Sequence, residues 1–395
     1  MRDSWKEISL FDLALFRRGS FPQPYGLDKW YDDNNGMPFI QVYDVDDNMK
    51  LKRVTKRKIS KLGSQMSVFI PKGSLILTIQ GSIGRVAITD YDAYMDRTLL
   101  FFQKFYEEID LKFIMYVIRE LFNVAKENAN GSTIKTITKE ELSDYTINLP
   151  PLPQQKKIAK ILSTVDAVIE QTESAIAKYQ AIKQGLMHDL FTRGIDVNTG
   201  KLRPKPQDAP DLYKESALGL IPRDWEVKNL ENFAVINYGK DYKSNPKGDD
   251  FPIYGTGGIM GWTSKVLNSG PAVLTGRKGT INRPIYVEGA FWNVDTIFCI
   301  NSNCETNIKW FFYQMCSKDL TKLNEATGVP SVNSNALNNL KFSYPEKIEQ
   351  DKIAGRINLI DQKIHTEQQA LAKYQQLKAG LLQDLLTGKV AVSVD

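Results

Sequence analysis

The stretch Ala175-Ile176-Ala177-Lys178-Tyr179-Gln180 returns as Ala370-Leu371-Ala372-Lys373-Tyr374-Gln375 near the end of the chain. The likeness extends without a gap over residues 155–192 and 350–387, where 17 of 38 positions are identical. Two unrelated segments do not match so closely over that length, so the chain contains an internal duplication. A duplication of this size decides the architecture, because each copy must form the same kind of structure.

Apolar residues recur every three or four positions in both copies, which predicts amphipathic helices with a heptad seam. At ~1.5 Å per residue each helix would be roughly 55 to 60 Å long. We expect the two helices to pair antiparallel within the chain; pairing with helices of other chains is the alternative. The seam positions that we expect to pack are Ile158, Leu162, Val165, Ile169, Ile176 and Leu186 in the first copy and Ile353, Ile357, Ile360, Ile364, Leu371 and Leu381 in the second.

A second repeat marks the start of each half of the chain. The segment from Trp5 to Leu10 resembles the segment from Trp225 to Leu230. Between the two repeats, short apolar runs separated by turn residues predict strands. The predicted fold class is therefore α+β, with two mixed α/β domains, a coiled-coil spacer of two long antiparallel helices and a pseudo-twofold internal repeat. The predicted boundaries are a domain over 1–150, a helix over 151–195, a linker over 196–222, a domain over 223–345 and a helix over 346–390.

Composition excludes several classes of protein. The 51 basic and 46 acidic residues give a formal net charge of +5, which leans toward an anionic partner. The three cysteines lack the spacing of a zinc site or a disulfide framework, so we interpret them as reduced thiols. The start of the chain has no signal-peptide pattern, and no run approaches the ~18 apolar residues of a membrane helix. These features predict a soluble, cytoplasmic protein.

Motifs for catalysis are nearly missing from the sequence. No phosphate-binding loop of the Gly-x-x-x-x-Gly-Lys-[Ser/Thr] type is present. Asp211 and the Glu226-Val227-Lys228 segment satisfy a nuclease pattern, but Asp211 lies in the proline-rich linker. Asn148-Leu149-Pro150-Pro151-Leu152 lacks the aromatic residue that would stack on a flipped base. We therefore expect a chain without catalytic residues, resident metal or cofactor of its own.

Two glycine-rich turns carry the residues that best suit nucleic acid. Gly81-Ser82-Ile83-Gly84 is aligned with Gly276-Arg277-Lys278-Gly279, each after an apolar run. Arg can bind guanine through two hydrogen bonds, Gln and Asn can bind adenine, and Lys and Ser anchor phosphates. The candidate DNA-binding residues are Gln80, Ser82, Arg85 and Lys135 in the first domain and Tyr254, Thr256, Arg277, Lys278, Asn282 and Arg283 in the second.

The segments that border the helices resemble a known family. Leu149-Pro150-Pro151-Leu152-Pro153-Gln154-Gln155-Lys156-Lys157-Ile158-Ala159 resembles the junction between a target recognition domain and a conserved helix in the specificity subunits of type I restriction-modification enzymes. Leu220-Ile221-Pro222-Arg223-Asp224-Trp225-Glu226-Val227 resembles the opening of their second recognition domain. The second junction departs from the pattern, because Tyr344-Pro345-Glu346-Lys347 replaces the double proline. The resemblance covers the whole chain.

The resemblance implies a non-catalytic DNA-binding subunit of a host-defence complex. Each recognition domain would read one half of a bipartite asymmetric site, and the helices would fix the gap and dock two methyltransferase subunits. Two motor-nuclease subunits would complete a site-specific deoxyribonuclease and adenine methyltransferase. S-adenosylmethionine, ATP and Mg²⁺ would belong to those partners. The alternatives are a single-chain DNA enzyme, a coiled-coil scaffold without a DNA role, and a specificity chain of a related defence system without a nuclease.

Overall fold

The computed structural model describes residues 5–128 and 137–393. The chain divides into unit 1, residues 1–172 with 370–395, and unit 2, residues 173–369. Each unit therefore combines one globular segment with one half of each long helix. Among the described residues, no helix is long and apolar enough to cross a membrane.

Unit 1 alternates short strands with helices until the first long helix begins. Its elements are β1 (Lys6–Ser9), α1 (Leu10–Leu13), β2 (Ala14–Arg18), β3 (Met37–Ile40), β4 (Arg57–Ile59), α2 (Lys61–Ser64), β5 (Val68–Ile70), β6 (Leu75–Thr78), β7 (Val86–Ile88), β8 (Ala93–Met95), β9 (Leu99–Phe105), α3 (Leu111–Asn128), α4 (Lys139–Ser143), β10 (Thr146–Leu149) and α5 (Leu152–Thr192). Helix α5 continues into unit 2.

After the end of α5, unit 2 continues with a hairpin and then repeats the order of strands of unit 1, without α-helices equivalent to α1 and α2 among the described residues. Its elements are β11 (Tyr213–Ser216), β12 (Gly219–Pro222), β13 (Glu226–Asn229), β14 (Ala234–Tyr238), β15 (Lys247–Gly255), β16 (Gly258–Thr263), β17 (Asn268–Ser269), β18 (Ala272–Gly276), β19 (Ile285–Val287), β20 (Ala290–Asn293), β21 (Ile297–Ser302), α6 (Ile308–Ser317), α7 (Ser334–Asn338), β22 (Lys341–Tyr344) and α8 (Lys347–Leu386). The hairpin β11–β12 lies within the segment that the sequence presents as a linker.

The two globular segments have the same sheet topology although their sequences share little. One sheet has the order β2-β9-β6-β7 in unit 1 and β14-β21-β18-β19 in unit 2. A second sheet has the order β4-β3-β8-β5 in unit 1 and β16-β15-β20-β17 in unit 2. Its central pair is parallel in both units, β3 with β8 and β15 with β20. An antiparallel pair, β1 with β10 or β13 with β22, closes each domain next to the long helix.

Each unit buries the start of one long helix and the end of the other in one apolar core. In unit 1, Ile158 and Leu162 of α5 pack with Leu385 of α8 beneath α3. In unit 2, Ile353 of α8 packs with Leu190 of α5 beneath α6. The start of one helix meets the end of the other each time, so the helices pair antiparallel within this chain, as the repeat predicts.

The predicted seam is buried to different degrees along its length. Ile158, Leu162, Ile353 and Ile357 are fully buried, and Ile364 is nearly so. The remaining predicted positions are half-buried: Val165, Ile169, Ile176, Leu186, Ile360, Leu371 and Leu381. Two helices alone cannot enclose a side chain fully, so burial is complete only where a globular core covers the seam. A glycine in the left-handed conformation follows each long helix, with Gly194 and Gly388 both at φ +68°.

Candidate nucleic-acid interface

Backbone hydrogen bonds show which residues of the two domains are equivalent. The carbonyl of Ile79 accepts from the amide of Ile137 at 3.0 Å, and the carbonyl of Arg277 accepts from Val332 at 2.9 Å. Both acceptors follow the central strand, β6 or β18, and the strand partners agree with this match. Arg277 is therefore equivalent to Ile79. The alignment of the glycine turns made from the sequence is wrong, because Gly81, not Gly84, corresponds to Gly279.

A glycine at the end of the edge strand brings two loops into close contact in both domains. The amide of Ser20 donates to the carbonyl of Met95 at 3.0 Å, and Lys240 donates to Asn293 at 3.0 Å. A Cβ at Gly19 would collide with the carbonyl of Asp96, and one at Gly239 with that of Val294. Only glycine admits this approach. The residues just before these glycines, Arg18 and Tyr238, are consequently equivalent and lie beside the loop that precedes β9 or β21.

In both domains a guanidinium group donates a hydrogen bond to the equivalent backbone carbonyl. In unit 1, Arg18 Nε donates to the carbonyl oxygen of Arg97 at 2.7 Å, and Nη2 lies 3.5 Å from Gln80 Oε1. In unit 2, Arg277 Nη1 donates to the carbonyl oxygen of Asp295 at 3.1 Å. The Arg277 guanidinium also lies 5.7 Å from the centre of the Tyr238 ring. Arg97 and Asp295 are equivalent positions in the loop before β9 or β21.

Unit 1 places its predicted DNA-binding residues in different environments. Gln80 is half-buried and lies next to Arg18, while Ser82 is exposed in the following turn. Arg85 is held by Asp47 through two hydrogen bonds of 2.8 Å and by the carbonyl of Val45 at 3.2 Å. Lys135 lies outside the described residues. Because a carboxylate already occupies one edge of the Arg85 guanidinium, Arg85 is less available to bind DNA than Arg18.

One of the predicted residues of unit 2, Thr256, lies in a cleft of about 660 Å³. Thr256 lines this cleft together with Asp295, whose carbonyl binds Arg277. A Cβ placed on Gly279 would lie 3.4 Å from Thr256 Oγ1, so the loop after β18 borders the cleft. Lys278 is exposed next to this glycine.

Three other predicted residues of unit 2 differ in how much of the side chain is free. Tyr254 is half-buried and packs edge-on against Phe291, with 5.8 Å between ring centres, and burial raises its pKa. Asn282 accepts a hydrogen bond from the amide of Leu320 at 2.8 Å, which ties down its carbonyl oxygen. Arg283 is exposed. None of these observations tests base contacts directly, so the assignments stay predictions.

Sequence reasoning missed Arg18 and a set of cations that lie on aromatic rings in unit 1. The Arg97 guanidinium lies 4.7 Å from the Phe21 ring centre, and the Arg57 guanidinium lies 3.8 Å from that of Tyr31. Basic and aromatic side chains in this arrangement can contact both phosphates and bases. The signal available in the sequence was the basic pair before Gly19.

The long helices carry a polar cluster that occurs once in each unit. In unit 1, Tyr116 Oη donates to Asp166 at 2.5 Å, and Lys378 Nζ pairs with the other carboxylate oxygen at 2.5 Å. Burial and then the hydrogen bond to Asp166 raise the pKa of Tyr116, which keeps its hydroxyl a donor. The repeat matches this aspartate with Asp361 and this lysine with Lys183.

The cluster in unit 2 has the same composition with the helices exchanged. Tyr313 Oη donates to Asp361 at 2.7 Å, and Lys183 Nζ pairs with that carboxylate at 2.6 Å. The pKa of Tyr313 is raised for the same reasons, burial first and the Asp361 hydrogen bond second. Each long helix therefore supplies the aspartate to one unit and the lysine to the other, which fixes their antiparallel register.

The part of the chain that the structure describes has neither a metal-binding group nor a disulfide bond. It contains no group of three or more His, Cys, Asp or Glu side chains that could hold a metal ion. Cys299, Cys304 and Cys316 are free thiols. The arrangement instead offers two equivalent loop clusters, each with a guanidinium at the end of the same sheet, and two equivalent helix clusters.

This fold and these loops define a duplicated recognition protein: two copies of one domain, each continued by the same helix. Residues 2–179 and 222–376 match the family of type I restriction modification DNA specificity domains. The chain therefore belongs to that family and is a DNA specificity subunit of a type I restriction-modification system.

Sequence similarity to other specificity subunits extends over nearly the whole chain. The chain is 24% identical to the type I restriction enzyme MjaVIII specificity subunit of Methanocaldococcus jannaschii, covering 99% of this chain and 94% of the relative. It is 20% identical to the EcoprrI specificity subunit of Escherichia coli, covering 90% and 87%. The crystal structure of a type I S subunit from M. genitalium shares the fold with a TM-score of 0.66 at 19% identity, covering 98% of this chain and 97% of that one.

Proposed function

We propose that each globular domain reads one half of a bipartite, asymmetric DNA site. The observation that carries this proposal is that one sheet topology occurs twice while the loop side chains differ. Arg18 and Gln80 stand at the strand ends of unit 1, where unit 2 has Tyr238 and Lys278. Identical scaffolds with different groups at the reading edge suit two different base sequences.

The repeated helices supply the partner-binding surface and the gap between the half-sites in this proposal. Ile182 and Leu377 are 42% and 52% exposed and stand at matching positions of the repeat. An exposed apolar residue repeated on both helices suits one kind of partner bound twice. We assign this role to two methyltransferase subunits, joined by two motor-nuclease subunits. S-adenosylmethionine, ATP and Mg²⁺ then belong to the partners, and this chain supplies specificity without chemistry.

The direct test is single-molecule methylome sequencing of cells that co-express this chain with its companion methyltransferase. A new bipartite motif that disappears when this chain is omitted is the expected result. No new methylation, with the companion shown to be bound and active, contradicts the proposal and favours a scaffold. Methylation without restriction in cells that hold the complete gene set would indicate a defence system without a nuclease.

Docking is tested by native mass spectrometry of the co-expressed complex. Ile182→Asp and Leu377→Asp should each remove one methyltransferase, and the double variant should remove both. Leu359→Asp is the matched control, because Leu359 is also exposed on α8 but has Thr164, a polar residue, at the equivalent position. If both single variants retain two methyltransferases, the docking surface lies elsewhere.

The gap is tested by lengthening both helices by one heptad. The proposal expects the number of unread base pairs to change while both half-site sequences stay as they were. An unchanged gap contradicts the role of the helices as a ruler.

A further inference from the structure

We infer that Arg18 is the counterpart of Arg277, and that each presents its guanidinium to a guanine in the half-site of its own domain. The inference rests on the proposed reading of one half-site by each domain. It adds a specificity-determining residue that the sequence does not single out, since Arg18 and Arg277 are not at equivalent positions in the chain.

The two arginines reach one place in the fold from different strands. Arg18 ends the edge strand β2, whereas Arg277 follows the central strand β18. The residue equivalent to Arg277 in unit 1 is Ile79, which is 3% exposed and part of the core. The residue equivalent to Arg18 in unit 2 is Tyr238, which is 53% exposed.

Arg18 and Ile79 in unit 1 thus correspond to Tyr238 and Arg277, respectively, in unit 2. The guanidinium comes from the edge strand in unit 1 and follows the central strand in unit 2. In both units it donates to the equivalent backbone carbonyl, that of Arg97 or Asp295. Two unrelated surface arginines on different strands would not be expected to donate to the same backbone carbonyl. The exchange indicates that this place in each domain requires a guanidinium.

The anchoring leaves donors free to bind a base. In unit 1 the contacts use Nε and Nη2, and within the described residues Nη1 of Arg18 has no partner. In unit 2 only Nη1 of Arg277 is engaged in the described part of the chain, so the Nε and Nη2 edge is free. Two N–H groups on a held, planar guanidinium match the O6 and N7 acceptors of guanine in the major groove.

Ring contacts further restrict the Arg277 group. The Tyr238 ring lies against its guanidinium, and Tyr238 Oη is itself fixed by a 2.8 Å hydrogen bond with Ser334 Oγ. In unit 1 the amide oxygen of Gln80 has the corresponding role of a neighbour that orients the guanidinium. Both arginines are therefore oriented before DNA arrives, which favours specific over nonspecific contact.

The experiment compares methylation motifs of single variants in the full complex. Arg18→Ala should relax one guanine position in one half-site and leave the other half-site unchanged. Arg277→Ala should do the same in the opposite half. Binding of the cognate duplex relative to a duplex with that base pair changed should fall on the order of tenfold to a hundredfold for each variant.

Arg17→Ala is the matched control for lost charge. Arg17 precedes Arg18, is exposed, and points to the other face of β2, because neighbouring strand residues alternate. This variant should retain the full motif. If Arg18→Ala also retains it, the inference is overturned, although the proposed function stands. If the wild-type chain directs no bipartite methylation, it is the proposed function that fails.

A rescue experiment tests the equivalence itself. Arg277→Ile should relax the second half-site, and adding Tyr238→Arg should restore the guanine requirement by placing the guanidinium on the strand that unit 1 uses. A double variant that is folded, reads the first half-site normally and stays relaxed in the second would overturn the equivalence.

Discussion

Units 1 and 2 hold the start of a long helix in the same way but with different charge. In unit 1, Trp5 Nε1 donates to the neutral amide of Gln154 at 2.9 Å. In unit 2, Trp225 Nε1 donates at 2.9 Å to Glu349, which occupies the position of Gln154 in the second copy of the repeat and is only 2% exposed. The same tryptophan contact therefore uses an amide in one unit and a buried carboxylate in the other.

The difference comes from the segment that precedes the second domain. That segment brings Arg203, whose guanidinium contacts both oxygens of Glu349 at 2.5 and 3.0 Å. The amide of Ile195 donates to the same carboxylate at 2.6 Å. A buried charge is tolerated only when it is paired and hydrogen-bonded. Unit 2 can thus use a glutamate because its chain supplies the counter-charge, which the unit 1 site does not contain among its described contacts.

Removing the counter-charge of Glu349 should have the largest effect on the difference between the two units. Arg203→Met leaves Glu349 buried without its cation, and the loss in unfolding free energy of unit 2 should be about 3–5 kcal/mol. Hydrogen exchange of amides in β13 and β22, followed by mass spectrometry on the full chain, measures this loss separately from unit 1.

The double variant Arg203→Met with Glu349→Gln recreates the neutral arrangement of unit 1 and should recover most of that stability. Gln154→Glu in unit 1 is the converse change, and it should destabilise unit 1 because no cation meets the new carboxylate among the contacts described there. A double variant no more stable than Arg203→Met would show that charge is not the cause of the difference.

Substitution of the aspartates of the two polar clusters should have the next largest effect on the unfolding free energy. The loss should be equal in the two units. Asp166→Asn and Asp361→Asn each remove the charge that Lys378 or Lys183 pairs with, at a cost of about 1.5–3 kcal/mol. The loss should appear as faster hydrogen exchange in α5 and α8 of the affected unit only. Unequal losses would mean that the clusters do not have the same role.

Removal of the tyrosine hydroxyls of these clusters should have the smallest effect on the unfolding free energy. Tyr116→Phe and Tyr313→Phe keep each ring but remove the hydrogen bond to the aspartate, and each should cost about 1.5 kcal/mol, the low end for a hydrogen bond to a charged group, because the lysine still pairs with the carboxylate. Exchange rates of α3 and α6 would measure it. Because phenylalanine leaves the packing intact, a much larger loss in either unit would point to a role beyond the cluster.

Much of the fold could be predicted from the sequence because the helices repeat in it. Helices α5 and α8 and the presence of strands in both domains follow from the apolar patterns, and the antiparallel pairing of the helices was expected from their duplication. The common topology of the two domains could not be predicted. Their loops differ in length, so Arg18 and Ile79 are much farther apart along the chain than their equivalents Tyr238 and Arg277.

The candidate site was only partly visible for the same reason. Thr256 lines a cleft, and Arg277 donates to the carbonyl of Asp295 on the same cleft, but their contact with DNA stays a prediction. Arg18 was missed because the side chain that replaces it in the second domain is Tyr238, and the guanidinium appears on another strand. Arg85 looked free in the sequence, but Asp47, which is distant along the chain, binds it. Such contacts depend on the fold and leave no local signal.

The most direct test of the central claim, that each domain reads its own half-site, is a domain exchange. Residues 226–344 would be replaced by residues 6–149, which joins matching ends of the strand pairs β13–β22 and β1–β10. Methylome sequencing with the companion methyltransferase should then give a motif whose two halves both carry the sequence read by the first domain. A chimaera that assembles with the methyltransferase but still directs the original second half-site would contradict the account.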